Sequence, residues 1–276
     1  MALFAINDAV LKVLSERMGT AQVMVLRGIL GGTLLLGLTI ATGAGARLAD
    51  ALHPPVLART LFDAMASIMF VMALMGLPVA TITALIQLVP ILTSLAGVAL
   101  FADPLTRRQM AALAIGLAGV LVVTRPFSGG VGLHLLFAVA AILLLTGRDI
   151  VTRWTAPTTP SLVVATCTTF AVPVLSMPEL VFQGWQSLEP RNALLIGLIA
   201  LCVAAGNFLM VIAVRRAPFP AIAPYRYSAI PFAMMAGLVL LGEIPDAAMI
   251  GGAAAIAFSA FLALPVQGRR TRPADV

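Results

Sequence analysis

Apolar residues run through this chain in long blocks that charge, Gly and Pro interrupt about every 20 residues. Blocks of that length are too long for strands, and a helix needs roughly 20 mostly apolar residues to cross a bilayer. Reading for such runs predicts ten helices, at residues 1–17, 20–42, 56–76, 78–100, 105–124, 131–154, 159–182, 191–214, 218–241 and 246–265. Asp103-Pro104 and Pro245-Asp246 stand where the fifth and tenth begin. Proline in a first turn removes no hydrogen bond the helix needs. The predicted fold class is an all-α integral membrane protein with very short loops.

Composition sharpens this reading. Of 276 residues 61% are hydrophobic and 10% charged, against about 45–50% and about 25% in soluble domains. That balance excludes a water-soluble enzyme, a nucleic-acid-binding domain and a disordered chain. The net charge of +6 is expected to sit in inside-facing loops, with the lipid bilayer as partner and no nucleic acid. Cys167 and Cys202 lie within apolar runs and imply neither a disulfide framework nor a metal site, since zinc usually needs three or four protein ligands. No cofactor is expected, and nothing resembles a cleavable signal peptide.

The basic residues orient the helices. With both termini on the cytoplasmic side of a bacterial inner membrane, the inner face carries Arg47, Arg59, Arg107, Arg108, Arg153, Arg215, Arg216, Arg269, Arg270 and Arg272, the last three in a basic tail at 266–276. The outer face carries Arg17, Arg125 and Arg191, while Lys12, Arg27, Arg148 and Arg226 fall within spans. This is a strong positive-inside bias.

The halves also repeat. A shift of 140 residues puts Pro78 on Pro218, Gly97 on Gly237 and Asp103 on Glu243; a shift of 141 puts Asp8 on Asp149 and Lys12 on Arg153. Residues 1–125 and 131–265 would each hold five spans. An odd number makes the second copy enter from the opposite side, which is an inverted-topology repeat. Two fused repeats make a monomer sufficient. Aligned on the sixth span, the first lacks roughly ten residues at its start, so either that helix is short or this start is not the natural one.

Several segments carry a family resemblance. The first half closes on Leu77-Pro78-Val79-Ala80, Gly97, Phe101-Ala102-Asp103-Pro104-Leu105-Thr106 and Gly116 to Gly119; the second on Ala217-Pro218, Gly237 and Leu241-Gly242-Glu243-Ile244-Pro245. Together with ten short-looped spans, these resemble the drug/metabolite transporter superfamily, and within it the EamA-type amino-acid and metabolite exporters. Asp103 stands where the family usually has Glu, and Ala253 to Ala260 lacks its Gly-x-x-Gly. The resemblance implies a secondary transporter that exports amino acids or similar small metabolites by alternating access through a central cavity.

Intramembrane polar residues are costly and mark candidate sites. Asp8 and Lys12, Asp149 and Arg153, and Arg59 and Asp63 are each spaced i, i+4, where opposite charges are neighbours. They read either as helix-end ion pairs or, for the mirror-related pairs Asp8–Lys12 and Asp149–Arg153, as alternating gates. Asp103 and Glu243 read as caps of the helices that follow them. Thr83, Gln87, Pro90 and Ser94 share one face of the fourth span, and the 140-residue shift lands Gln87 on Tyr227, beside Arg226. Pro90, Pro224 and Pro231 interrupt the backbone ladder there.

Arg226 could pair with a carboxylate and Gln87 or Tyr227 could hold an amine; the alternative is interhelical fastening. Asn7 and Asn207 join these substrate-binding candidates, and Arg27 is a candidate partner for Asp8. His134 reads as an interfacial residue, with a proton relay as the other option. Gly28, Gly31, Gly32, Gly97, Gly116, Gly119, Gly237, Gly251 and Gly252 read as packing positions. Gly97 and Gly237, with Pro90 and Pro231, mark a pivot.

Other functions compete less well. No Walker motif appears, and no acids, metal set or nucleophile–base pair converge as an intramembrane enzyme would need. A channel usually needs rings of carbonyls or charges from several subunits. A nucleotide sugar or phosphorylated metabolite calls for clustered basic groups. Multidrug efflux is compatible with the same cavity.

Overall fold

The computed structural model of the chain describes residues 1–101, 107–124, 132–152, 154, 159–216 and 229–263. Every regular element among them is helical: α1 (Ala2–Ser15), α2 (Thr20–Ala41), the 3-10 helix η1 (Ala44–Leu52), α3 (Pro54–Gly76), α4 (Val79–Ile86), α5 (Val89–Phe101), α6 (Arg107–Thr124), α7 (Leu133–Thr152), α8 (Ser161–Gln183), α9 (Pro190–Arg216), α10 (Ala229–Leu241) and α11 (Ala247–Ala263). Six segments are long and apolar enough to cross a membrane: α2, α3, the continuous stretch Val79–Gly97, α7, α8 and Pro190–Met210 of α9.

The ten predicted helices become eleven α-helices among the described residues, because the span predicted at 78–100 is two helices. Pro90 is the reason. A proline has no N–H to give the carbonyl four residues earlier, here that of Ile86. Ile86 is where α4 ends. The chain tightens there: Gln87 N–H donates to Ala84 O at 3.1 Å and Leu88 N–H to Leu85 O at 3.0 Å. Pro231, by contrast, sits in the first turn of the described α10, and Pro173 and Pro178 lie inside α8 without ending it.

Helices from the two halves are interleaved. Close packing pairs α2 with α8, α3 with α7, and α6 with α11; α1 lies against α9 and α10, α2 against α9, α3 against α8, and α7 against α4 and α5. Exchanging the halves maps several of these contacts onto one another, α1–α9 becoming α7–α3 and α2–α9 becoming α8–α3, whereas the α8–α9 contact has no α2–α3 contact of like extent among the described residues. The core between them is built from Leu11, Leu14, Met24, Leu74, Ile82, Leu85, Ile196, Ile199 and Ile256, all nearly or wholly buried. The opposite faces expose Leu34, Leu38, Ile40, Leu143, Val181, Leu194 and Leu201. In water such a surface would aggregate; in a bilayer it is the lipid face.

Lipid is as apolar as leucine, so helix association there depends on close packing. The glycines of α2 supply it. A Cβ on Gly28 would overlap the Pro173 ring, and one on Gly32 would come within 2.8 Å of the Phe170 ring, both on α8. At the α6–α11 contact, a Cβ on Gly119 would sit 2.9 Å from the Gly252 carbonyl oxygen. Gly251 departs from the packing expected of it: it is exposed and faces open space. Gly32→Val and Gly119→Val are therefore expected to destabilise the bundle by about 1–3 kcal/mol each, read as a lower midpoint for loss of the monodisperse peak on heating in detergent. Gly251→Val should leave that midpoint unchanged.

Candidate functional site

A cavity of about 240 Å³ lies at the centre of the interleaved helices. Its walls come from α1 (Phe4, Asn7, Asp8), α2 (Arg27, Gly28), α3 (Asp63, Ser67, Phe70, Val71), α4 and its end (Thr83, Ile86, Gln87), α7 (Leu145, Arg148), α8 (Thr168, Thr169, Val172) and α9 (Val203, Asn207, Met210). The break before Pro90 puts Gln87 at the C-terminus of α4, where it is 4% exposed.

Many lining residues are separated by the 140- or 141-residue shift of the expected repeat. Phe4 and Leu145, Asn7 and Arg148, Arg27 and Thr168, and Gly28 and Thr169 are each 141 apart; Asp63 and Val203, Ser67 and Asn207, and Phe70 and Met210 are each 140 apart. Each of these pairs lines the cavity on both sides of the interface between halves. The partners of Ile86 and Gln87 in that register are Arg226 and Tyr227. Both lie outside the described residues, as do Asp103, Arg153 and Pro224.

The charges pair differently from the i, i+4 expectation. Asp8 does not meet Lys12. Asp8 Oδ1 accepts a hydrogen bond of 2.9 Å from Asn7 Nδ2, and Asn7 Oδ1 accepts one of 3.2 Å from Arg27 Nη1. The Asn7 amide thus stands between Arg27 and Asp8, in place of the direct pair expected. Arg27 is still near enough to exert a coulombic pull on Asp8.

Lys12 instead reaches across the bundle. Its Nζ lies 2.7 Å from Glu243 Oε1 and donates to Leu77 O at 2.8 Å. Glu243 Oε2 accepts the Val79 N–H at 2.9 Å. Glu243 therefore caps α4, from which it is remote in sequence, rather than the helix that follows it. That helix, α11, is capped by Asp246, whose Oδ1 accepts Met249 N–H at 2.7 Å. Gly242, at φ +67°, closes α10, a conformation that favours glycine, and turns the chain so that Glu243 N–H meets Gly237 O at 3.0 Å. A Cβ on Gly237 would lie 2.8 Å from Glu243 Oε2. Gly237 makes room for this carboxylate. Gly97, its register mate, is buried in α5.

A second charged cluster links α3 and α7. Arg148 Nη1 donates to Asp63 Oδ1 at 2.6 Å, while its Nε and Nη2 donate to Asp149 Oδ1 at 2.9 and 2.8 Å. Asp63 is thus held by Arg148 on another helix, and Arg59 Nε donates to Thr152 Oγ1 at 3.1 Å. Asp149 Oδ1 accepts both of these bonds from the neighbouring Arg148; the expected Asp149–Arg153 pair falls outside the described residues with Arg153. Asn207 Nδ2 donates to Thr169 Oγ1 at 3.2 Å, and Thr83 lies buried in the wall. His134 is a fastener between helices: its Nδ1 is 2.9 Å from Met72 O on α3. Arg148, Asp63, Ser67, Thr168 and Thr169 are lining residues that the span-by-span reading passed over. The repeat register carries the signal for several of them, since it lands Arg148 on Asn7 and Thr168 on Arg27.

Removing Arg148 would leave two carboxylates facing each other in a buried place, and breaking a buried pair by deleting one partner costs about 3–5 kcal/mol. Arg148→Met is expected to destabilise the protein on that scale, and adding Asp63→Asn should recover part of the loss, both measured by thermal stability in detergent.

Comparison with known proteins agrees with this architecture. None of the curated proteins matches the chain. A solved crystal structure superposes with a TM-score of 0.72 over 95% of this chain and 95% of its own, at 20% sequence identity, and shares the fold. Residues 1–125 match the EamA-like transporter family, a family of the drug/metabolite transporter superfamily. Over that first part this multi-pass membrane protein is similar to EamA-like transporters.

Proposed function

We propose that the chain is a secondary transporter that exports amino acids or similar small metabolites by alternating access through the central cavity. The observation that carries this reading is the cavity itself, a charged chamber buried in a membrane bundle and lined from both halves by residues in one repeat register. A chamber at the interface of two inverted repeats is where secondary transporters bind substrate. The contacts that correspond when the halves are exchanged, α1–α9 with α3–α7 and α2–α9 with α3–α8, support ten spans arranged as two inverted five-helix repeats. Asn7, Thr83, Gln87 and Asn207 are the polar wall of the proposed path, and Arg226 and Tyr227, register mates of Ile86 and Gln87, complete it.

Gating falls to Lys12 with Glu243 as its partner. Their side chains are 14% and 21% exposed, and the pair ties α1 to the α3–α4 and α10–α11 turns at one end of the bundle. With both termini cytoplasmic that end is periplasmic, and the pair must open for release. Its register counterpart is Arg153 with Asp103, the proposed gate of the other end. An ion pair that forms and breaks with the state suits this use.

Two experiments test the reading. Counterflow of labelled L-leucine, L-phenylalanine, L-glutamate and L-lysine into proteoliposomes preloaded with the same solute is expected to be saturable for at least one of them. Absence of counterflow for every member, with protein that remains monodisperse, would redirect the search to drugs. For the gate, the Lys12→Cys/Glu243→Cys double variant is expected to lose transport on oxidation and regain it on reduction. Transport through the crosslinked protein would remove Lys12–Glu243 as a gate.

A further inference from the structure

We propose that Arg27 and Asp8, held apart by the Asn7 amide, form the head-group site of the chamber, and that it takes an α-amino acid with an apolar side chain. The inference rests on reading the chamber as a transport site, and it assigns the two charges that the ligand meets.

Among the described residues, the two arginines that line the cavity are in opposite conditions. Arg148 is committed: its Nε, Nη1 and Nη2 all donate to carboxylates. Arg27 is 6% exposed, yet among the described residues it makes one hydrogen bond, to Asn7 Oδ1. A guanidinium has five N–H donors in a planar fork. A buried cation with most of its donors unused, lining a cavity, is a place for an oxyanion, and the fork matches a carboxylate. Asp8 is the complementary case. One of its oxygens accepts Asn7 Nδ2, and the other has no hydrogen-bond partner among the described residues, so it can accept an ammonium group.

Asn7 sets the spacing. Its oxygen faces Arg27 and its nitrogen faces Asp8, and both are bonded to a single carbon. An α-amino acid also carries its carboxylate and ammonium on a single carbon. Lying alongside the Asn7 amide, it would present its anion to the remaining Arg27 donors and its cation to the free Asp8 oxygen.

The repeat register makes the site one-sided: Arg27 corresponds to Thr168, and Asp8 corresponds to Asp149, which Arg148 already holds. The open donors of this one guanidinium fork match a single carboxylate. Phe4, Phe70, Ile86, Leu145 and Met210 supply apolar wall for the side chain. The volume of about 240 Å³ lies just below the range of roughly 300–1,000 Å³ typical of drug-sized ligands.

The test uses the purified full-length chain and five probes: L-leucine, L-phenylalanine, L-leucinamide, which lacks the carboxylate, 4-methylpentanoate, which lacks the ammonium, and N-acetyl-L-leucine, in which the ammonium is blocked. Binding is read as saturable thermal stabilisation in detergent, and transport separately as counterflow. Leucine or phenylalanine is expected to bind, with each altered analogue at least about tenfold weaker than leucine. Arg27→Gln should bring leucine down to the level of leucinamide while leaving leucinamide unchanged, and Asp8→Asn should do the same relative to 4-methylpentanoate. Arg27→Lys, which keeps the charge and loses the fork, should fall between.

Each variant is compared with itself across probes, so a general loss of stability cannot imitate this pattern. Equal binding of all five, equal weakening of all five by either variant, or no binding of leucine or phenylalanine would overturn the site. Selective binding without counterflow would keep the site and remove the transport reading. Counterflow without selectivity would do the reverse.

Discussion

Hydrocarbon offers a buried polar group no water, so every charge inside this bundle must be answered by another part of the protein. That constraint organises the structure more than any apolar contact does, because in lipid the apolar contacts have little to gain over tail packing. It explains why the charged side chains bridge helices. Lys12 on α1 answers Glu243 and the Leu77 carbonyl; Arg148 on α7 answers Asp63 on α3; Arg27 on α2 reaches Asn7 on α1. These links join segments far apart in sequence and surround the cavity or close one end of the bundle.

Six spans were legible because bilayer thickness sets a length, and the chain obeys it from Thr20–Ala41 to Pro190–Met210. The proposed repeat was read from a few residues, and the same spacing separates the cavity residues Phe4 and Leu145, Ser67 and Asn207, and Phe70 and Met210. None of those pairs is conspicuous in sequence, since each joins unlike side chains. They share a position and differ in chemistry.

Charge partners were the least legible part. The i, i+4 rule gives a local neighbour, and Asp8–Lys12 and Arg59–Asp63 satisfy its spacing. An ammonium has three donors, however, and one carboxylate cannot satisfy them as well as a carboxylate together with a carbonyl. Glu243 and Leu77 O provide both, at a distance in sequence that no local rule reaches. Arg148 wins Asp63 for a similar reason, its fork spanning two carboxylates at once. Pro90 was recognised as an interruption, but its effect, a separate α4 ending at Ile86, depends on which carbonyl loses its donor.

That break ends α4 at Ile86. Eight helical residues make a rod of roughly 12 Å, stiffened by its own hydrogen bonds. At one end, the Val79 N–H is held by the same carboxylate that holds Lys12. At the other, Thr83, Ile86 and Gln87 form cavity wall. One short helix thus joins the chamber wall to the ion pair at the bundle's end, so the proposed transport cycle would link occupancy of the one to closure of the other through a single rigid element.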